Sequence, residues 1–232
     1  MNKFDKIFSE YSRAREDKIN QQILDASAAK STPIAKLIDD TYLKNHQVWV
    51  MTDWHLLKFD KATKTVFPNQ HINTILRNTK SKIRPNDLLI YLGDICDGEV
   101  EKKDRIAKYL FEIPGIKILV RGNNDLFPDS WYLRNGFKYV TPKFIWNNIL
   151  FTHRPQDNAN KINIHGHIHG SRRYFNSEIS HFNNQIDVAW LDGRTEPVPL
   201  SYVIKKQPAY ASKVTFVDKP WKNDKPITAT KK

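Results

Sequence analysis

The sequence predicts an α/β protein: a largely parallel sheet in its first half, and a β-rich second half that packs another sheet on the first. Three observations predict it. Between Gln47 and Val120 short apolar runs alternate with longer segments of helical apolar spacing, which is βαβ logic. After Pro142 the runs shorten and are separated by turn residues. The residues with metal-binding character stand where apolar runs end, which is where ligands collect beyond the carboxyl ends of parallel strands.

In chain order, Phe4 to Leu24 spaces its apolar side chains (Phe4, Ile7, Phe8, Tyr11, Ile19, Ile23) in a broken helical rhythm. Thr32-Pro33 reads as an N-cap followed by proline at the first helical position, opening a second helix with Ile34, Leu37 and Ile38 inward. Val48–Met51 is a strand, followed by a helix through Ile72, Ile75 and Leu76. Leu88–Leu92 is a second strand, Val100–Phe111 a helix with Ile106, Tyr109 and Leu110 on one face, and Ile116–Val120 a third strand. Phe144–Trp146 and Ile149–Phe151 flank Asn147-Asn148, and asparagine tolerates the positive φ of a two-residue hairpin turn. Ile162–Ile164, Arg172–Phe175, Gln185–Ala189 and Ser201–Ile204 are further expected strands. The expected organisation is a helical extension over 1–46, a catalytic domain over 47–204, and a basic, flexible tail over 205–232. The sequence fits an extension that packs on the core and equally one that recruits a partner.

Composition narrows the class. No apolar run approaches the roughly 18 residues that span a bilayer, and Met1–Glu16 lacks the apolar core of a secretory signal. The lone Cys96 excludes an internal disulfide framework and fits a reducing compartment, so a cytoplasmic location is expected, with no membrane partner. Net charge is +12, half of it carried by Lys205–Lys232. A basic field favours phosphate-bearing partners, nucleotides and nucleic acid among them; a lysine-rich tail can equally serve solubility alone.

Five islands carry the chemistry: Asp53-Trp54-His55, Gly93-Asp94, Gly122-Asn123-Asn124-Asp125, His153, and Gly166-His167-Ile168-His169. Singly each is ordinary, a helix cap, a turn or a surface histidine. Together they mix oxygen and imidazole donors, a set that suits Mn, Fe, Zn or Ni better than Mg or Ca.

In order and type these islands resemble the calcineurin-like metallophosphoesterase superfamily, with its Asp-x-His, Gly-Asp, Gly-Asn-His-Asp/Glu, His and Gly-His-x-His elements. The resemblance covers roughly Gln47 to Gly170, more loosely the strands to Ile204, and lies closest to small phosphoesterases of phages and bacteria. It implies a four-layer αββα sandwich of two mixed β-sheets with helices outside. It also implies two divalent ions, manganese among the candidates, with Asp53, His55 and His169 on the first, Asn123, His153 and His167 on the second, and Asp94 bridging both. A hydroxide activated between the two ions would attack the phosphoester bond. Arg121 and Arg154 adjoin ligands and either contact phosphate through a bidentate fork or pair with surface carboxylates. His165 reads as orienting a ligand or as a plain histidine. His46, His71 and His181 read as structural or solvated, and Cys96 as buried packing.

Two departures matter. The family places His after the ligand asparagine, where it protonates the leaving oxygen or holds the phosphate. Here that residue is Asn124, an amide that donates a hydrogen bond but is no general acid. Asp125, which in the family steadies that His, is left to steady Asn124 or a water. Catalytic roles thus fall to Asp94, Asn124 and Asp125, and diesters are expected over monoesters. The second departure is Leu56-Leu57, which stands where relatives often carry a Gly-His pair. Two other readings stay open, a binding module that retains the fold with little catalysis, and a nuclease. The seven retained ligands favour the hydrolase, because buried carboxylate and imidazole are costly without ions.

Overall fold

The computed structural model describes residues 32–57, 59–60, 65–66, 69–96, 102–156, 162–169 and 185–206. The helix expected over Phe4–Leu24, the strand expected over Arg172–Phe175, His181 and the tail beyond 206 lie outside the described residues.

Two mixed sheets face each other with helices flanking them, the α/β sandwich expected of the sequence. The first sheet runs β11-β1-β4-β5-β6, from Val198–Pro199, Val48–Met51, Leu88–Tyr91, Ile116–Val120 and Phe137–Thr141. All its pairings are parallel except β1 with β11. The second runs β10-β9-β8-β7, from Gln185–Asp187, Ile162–His165, Ile149–Thr152 and Lys143–Trp146. Here β8, β9 and β10 are parallel and β7 is antiparallel. The β7–β8 turn places Asn147 and Asn148 at φ 46° and 63°, the hairpin geometry expected of that pair. A short ribbon pairs β2 (Phe59–Asp60) with β3 (Thr65–Val66).

Alternation along the strands builds two cores. Met51, Leu89, Tyr91 and Leu119 face α2 (Asn69–Lys82), α3 (Lys103–Glu112) and α4 (Asp129–Arg134). Val50, Ile90, Ile118 and Val120 face Phe144, Phe151, Ile164 and Ile186 of the other sheet.

The helix over residues 32–43, α1, belongs to that inter-sheet core. Ile34 and Ile38 are fully buried in it, Tyr42 stacks on Trp146 at 5.9 Å, and Trp146 Nε1 donates to Asp39 at 2.7 Å. Ile38→Ala should therefore cost about 2–5 kcal/mol in urea unfolding, while Ile145→Ala, at the 41 % exposed Ile145, should change little.

One expected strand is a helix. Leu200–Lys205 forms α5, not a strand over Ser201–Ile204. Tyr202, Val203 and Ile204 have strand propensity, but burial follows helical spacing: Leu200 and Val203 pack inward while Tyr202 stays 45 % exposed. The strand expected through Ala189 stops at Asp187, whose side chain accepts from Ala189 N at 3.0 Å and caps a 3-10 turn over Val188–Leu191.

Candidate metal centre

The strands deliver the ligand candidates to one rim. Asp53 and His55 follow β1, Asp94 follows β4, Asn123 follows β5, His153 follows β8, and His167 and His169 follow β9. Two groups result, Asp53–His55–His169 and Asp94–His153–His167, each with its ligand atoms within 4.8 Å of one another.

In the first group, His169 Nε2 lies 3.1 Å from Asp53 Oδ1 and 3.2 Å from His55 Nε2. The other Asp53 oxygen accepts from Thr52 Oγ1 at 2.7 Å and from His167 N at 2.9 Å, which leaves Oδ1 turned to the histidines. In the second group, His153 Nε2 lies 3.3 Å from Asp94 Oδ1, 3.1 Å from His167 Nδ1 and 3.2 Å from Asn123 Oδ1. His153 Nδ1 donates to the Leu92 carbonyl at 2.7 Å, which turns its Nε2 into the group. Asp94 faces both groups, its Oδ2 being 3.8 Å from His55 Nε2.

Such convergence fits cations. Two imidazole nitrogens 3.1 or 3.2 Å apart share at most one proton, and neighbouring carboxylate and amide oxygens add only acceptors. Burial pushes the Asp94 carboxyl up, but the hydrogen bond and charge of His153 outweigh it and hold the group below the usual carboxylate range. Asp53 is likewise raised by burial and then carried below its usual range by His169. Burial, with the charges of His153 and Arg154, lowers His167 to about 4, and burial lowers His165 to about 4, so both rings are neutral at pH 7. Ionised carboxylates beside the neutral ring of His167 suit divalent transition metals.

The backbone is bent to make this rim. Asp53, His55, Asp94, His167 and His169 have φ of 54°, 48°, 59°, 69° and 51°, each disfavoured by roughly 1–2 kcal/mol for a residue with a side chain. Asp125 helps hold the bend: fully buried, it accepts from Gly122 N at 2.7 Å and from Asp94 N and Ile95 N, both at 2.9 Å, joining two ligand loops. Burial lifts its carboxyl to about 6. The side chain of Asn124 turns to the same loop, Nδ2 donating to Asp94 Oδ2 at 2.7 Å while its N–H donates to Oδ1 at 2.9 Å. A Cβ on Gly122 would collide with Asp94, so only glycine lets these loops meet.

The two arginines differ. Arg121 pairs with Asp129 at 2.8 Å and donates to the Asp125 and Phe127 carbonyls, the carboxylate pairing that was one of its two readings. Arg154 is exposed, and its charge reaches His167. Leu56 and Leu57 are buried in the core under α2 and α3. Cys96 is buried packing. His165 is fully buried, its Nδ1 donating to the Gly166 carbonyl at 2.9 Å. His71, which from sequence reads as structural or solvated, binds the backbone of the Asp53–His55 loop; so do Tyr91, Arg194 and Lys102, for which no motif signals that role.

Fold and site together are those of a metallophosphoesterase. A family model for calcineurin-like phosphoesterases matches residues 46–225, and the chain belongs to that family. Two solved structures are similar. One is a protein of unknown function from Aquifex aeolicus, at 22% identity over 69% of this chain and 98% of that one, TM-score 0.48. The other is nuclease MPE from Pseudomonas putida, at 19% identity over 54% of this chain and 62% of that one, TM-score 0.38. No curated protein matches. No helix among the described residues is long and apolar enough to cross a membrane.

Proposed function

We propose that this chain hydrolyses phosphodiesters with two divalent ions, Mn, Fe, Zn or Ni, held by Asp53, His55 and His169 and by Asn123, His153 and His167, with Asp94 shared. The observation that carries the reading is Asp94, whose two oxygens face different histidine groups at 3.3 and 3.8 Å. Bound ions would supply positive charge to the phosphate oxygens and lower the pKa of an attacking water. The residues of the chain do the rest. His153, fixed through Nδ1, aims Nε2 inward. Asn124 holds the Asp94 carboxylate by two hydrogen bonds, and Asp125 keeps the two loops in register. Arg154, exposed beside His167, draws the substrate's negative charge to the rim.

Diester preference follows from Asn124. With an amide there, no side chain at that position donates a proton to a departing oxygen, so esters with poor leaving groups react slowly. The test is hydrolysis of a chromogenic diester and its matching monoester by metal-stripped protein refilled with Mn, Ni, Zn or Mg. Mn or Ni should restore diester cleavage, with monoester cleavage at least about tenfold slower, since general acid catalysis is worth about 10²–10⁴-fold. Asn124→His should narrow that gap by at least about tenfold. Metal binding without turnover of either ester would move the assignment to a binding module of the same fold.

A nuclease is the second reading, favoured by the +12 charge. In a cytoplasmic enzyme it would show as cleavage of polynucleotide that falls steeply as salt rises.

A further inference from the structure

The loop that carries Asp53 and His55 is held on two sides by different chemistry. On one side its N–H groups are taken up by the sheet rim. Asp53 N donates to the Gly93 carbonyl at 3.0 Å, His55 N to the Asp94 carbonyl at 2.9 Å and Leu56 N to the Ile95 carbonyl at 2.7 Å. Trp54 N donates to the buried Tyr91 hydroxyl at 2.7 Å. On the other side its carbonyls are met by three basic side chains from three separate segments. Arg194 Nε donates to the Asp53 carbonyl at 3.4 Å, His71 Nε2 to the Trp54 carbonyl at 3.2 Å, and Lys102 Nζ to the Leu57 carbonyl at 2.8 Å.

These donors stand on fixed supports. His71 lies in the first turn of α2, and Lys102 immediately precedes α3. The loop of Arg194 is pinned at both ends: Thr52 N donates to the Gly193 carbonyl at 2.9 Å, Asn78 Nδ2 to the Thr195 carbonyl at 3.0 Å, and Lys82 pairs with Glu196 at 2.6 Å. The loop so gripped has three left-handed residues in five, Asp53, His55 and Leu57. Such backbone persists only where its surroundings over-determine it. The second group is held differently: its His153 is fixed through its own ring, the Asp94 side chain through Asn124, and the Asp94 backbone through the Asp125 carboxylate.

We propose that Arg194, His71 and Lys102 are positioning residues that lock the Asp53–His55 loop and so set the metal affinity of the first group without touching substrate. The inference rests on the two-metal reading and extends it: the two sites depend on different supports and can be weakened one at a time. Each carbonyl donor acts on the ligand geometry from outside, as the partners of metal-ligating groups generally do, and their loss typically costs about 10–100-fold in affinity.

The test is a calorimetric titration of metal-stripped protein with Mn²⁺, with electron paramagnetic resonance reporting whether bound ions are spin-coupled. His169→Ala and His153→Ala variants assign the two binding steps to the two groups. In Arg194→Met and in His71→Leu, the step assigned to the first group should weaken about 10–100-fold. The step assigned to the second group should stay within about twofold, and the coupled signal should give way to that of an isolated ion at equal loading. Arg194→Lys, which keeps a donor for the Asp53 carbonyl, should recover most of the affinity that Arg194→Met loses. Both steps unchanged in Arg194→Met and His71→Leu would overturn the proposal, and so would both weakening together with the melting temperature, since that is a general fold defect. Wild-type protein that binds none of Mn²⁺, Fe²⁺, Zn²⁺ or Ni²⁺ in this titration would overturn the two-metal reading itself, a result visible before any variant is made.

Discussion

Asp94→Asn should lower phosphoesterase activity by about a thousandfold or more while leaving the fold intact. Metal-site charge stabilisation is worth several kcal/mol, and each 1.36 kcal/mol is about a factor of ten in rate. The substitution is nearly isosteric but wrong in two ways. The charge facing both histidine groups disappears, and with it the partner that raises the His153 pKa against the effect of burial. The hydrogen bonding also fails, because Asn124 donates to both Asp94 oxygens, at 2.9 and 2.7 Å. An asparagine amide offers one acceptor and must set its own NH₂ against one of those donors. Emission spectrometry of the purified variant should show less than two equivalents of metal, and the melting temperature should hold within a few degrees. Activity within tenfold of wild type at full metal loading would remove Asp94 from the shared position.

How much of this was legible beforehand depends on what each residue's role leaves in the sequence. The candidate ligands are donor side chains at strand ends, so the islands at Asp53, Asp94, Asn123, His153 and His167 could be read in order. Periodicity over long windows was also reliable, as α2 and α3 show. It failed where windows are short. Leu200–Lys205 has six residues, too few to separate a helical repeat from a strand rich in β-branched side chains. The strand Phe137–Thr141 passed unread although its burial alternates at Phe137, Lys138 and Tyr139, because it follows a helix of only six residues, α4. The inward packing of α1 was undecidable, since Ile34 and Ile38 show an apolar face but not what covers it. Least legible were the residues that act through the backbone. His71 reads as structural or solvated and Arg194 carries no signal at all, because a donor to a carbonyl asks nothing of its target's side chain. The substitution at Asn124 was visible, but its bond to Asp94 was not, since an amide in that turn has several partners in reach.

Gly166→Ala should disable both halves of the site at once, and more completely than loss of any one histidine. A methyl group on Gly166 would overlap Thr52 Oγ1 and stand 2.6 Å from Asp53 Oδ2. Neither neighbour can yield. Thr52 Oγ1 is bound to Asp53 at 2.7 Å, and the same carboxylate oxygen accepts from His167 N at 2.9 Å. Gly166 is equally fixed: its N–H donates to the His153 carbonyl at 3.0 Å, and its own carbonyl accepts from Ile168 N and His165 Nδ1, both at 2.9 Å. Relief must come from moving the turn, and the turn carries His167 into one group and His169 into the other. The overlap should cost about 1–3 kcal/mol of stability in urea unfolding. Activity should fall at least about a hundredfold, because an ångström of misplacement at a reacting centre costs about that much. Gly136→Ala separates the local effect from a general intolerance of added methyls. Gly136 has φ +93° and so is strained by substitution too, but its nearest obstacle is the end of the Lys117 side chain at 3.4 Å, an ordinary contact distance, away from every candidate ligand. That variant should lose some stability and keep both metal equivalents. If Gly166→Ala did the same, the turn would have room that its hydrogen bonds deny, and the two histidines would have to be held in place by something other than the backbone between them.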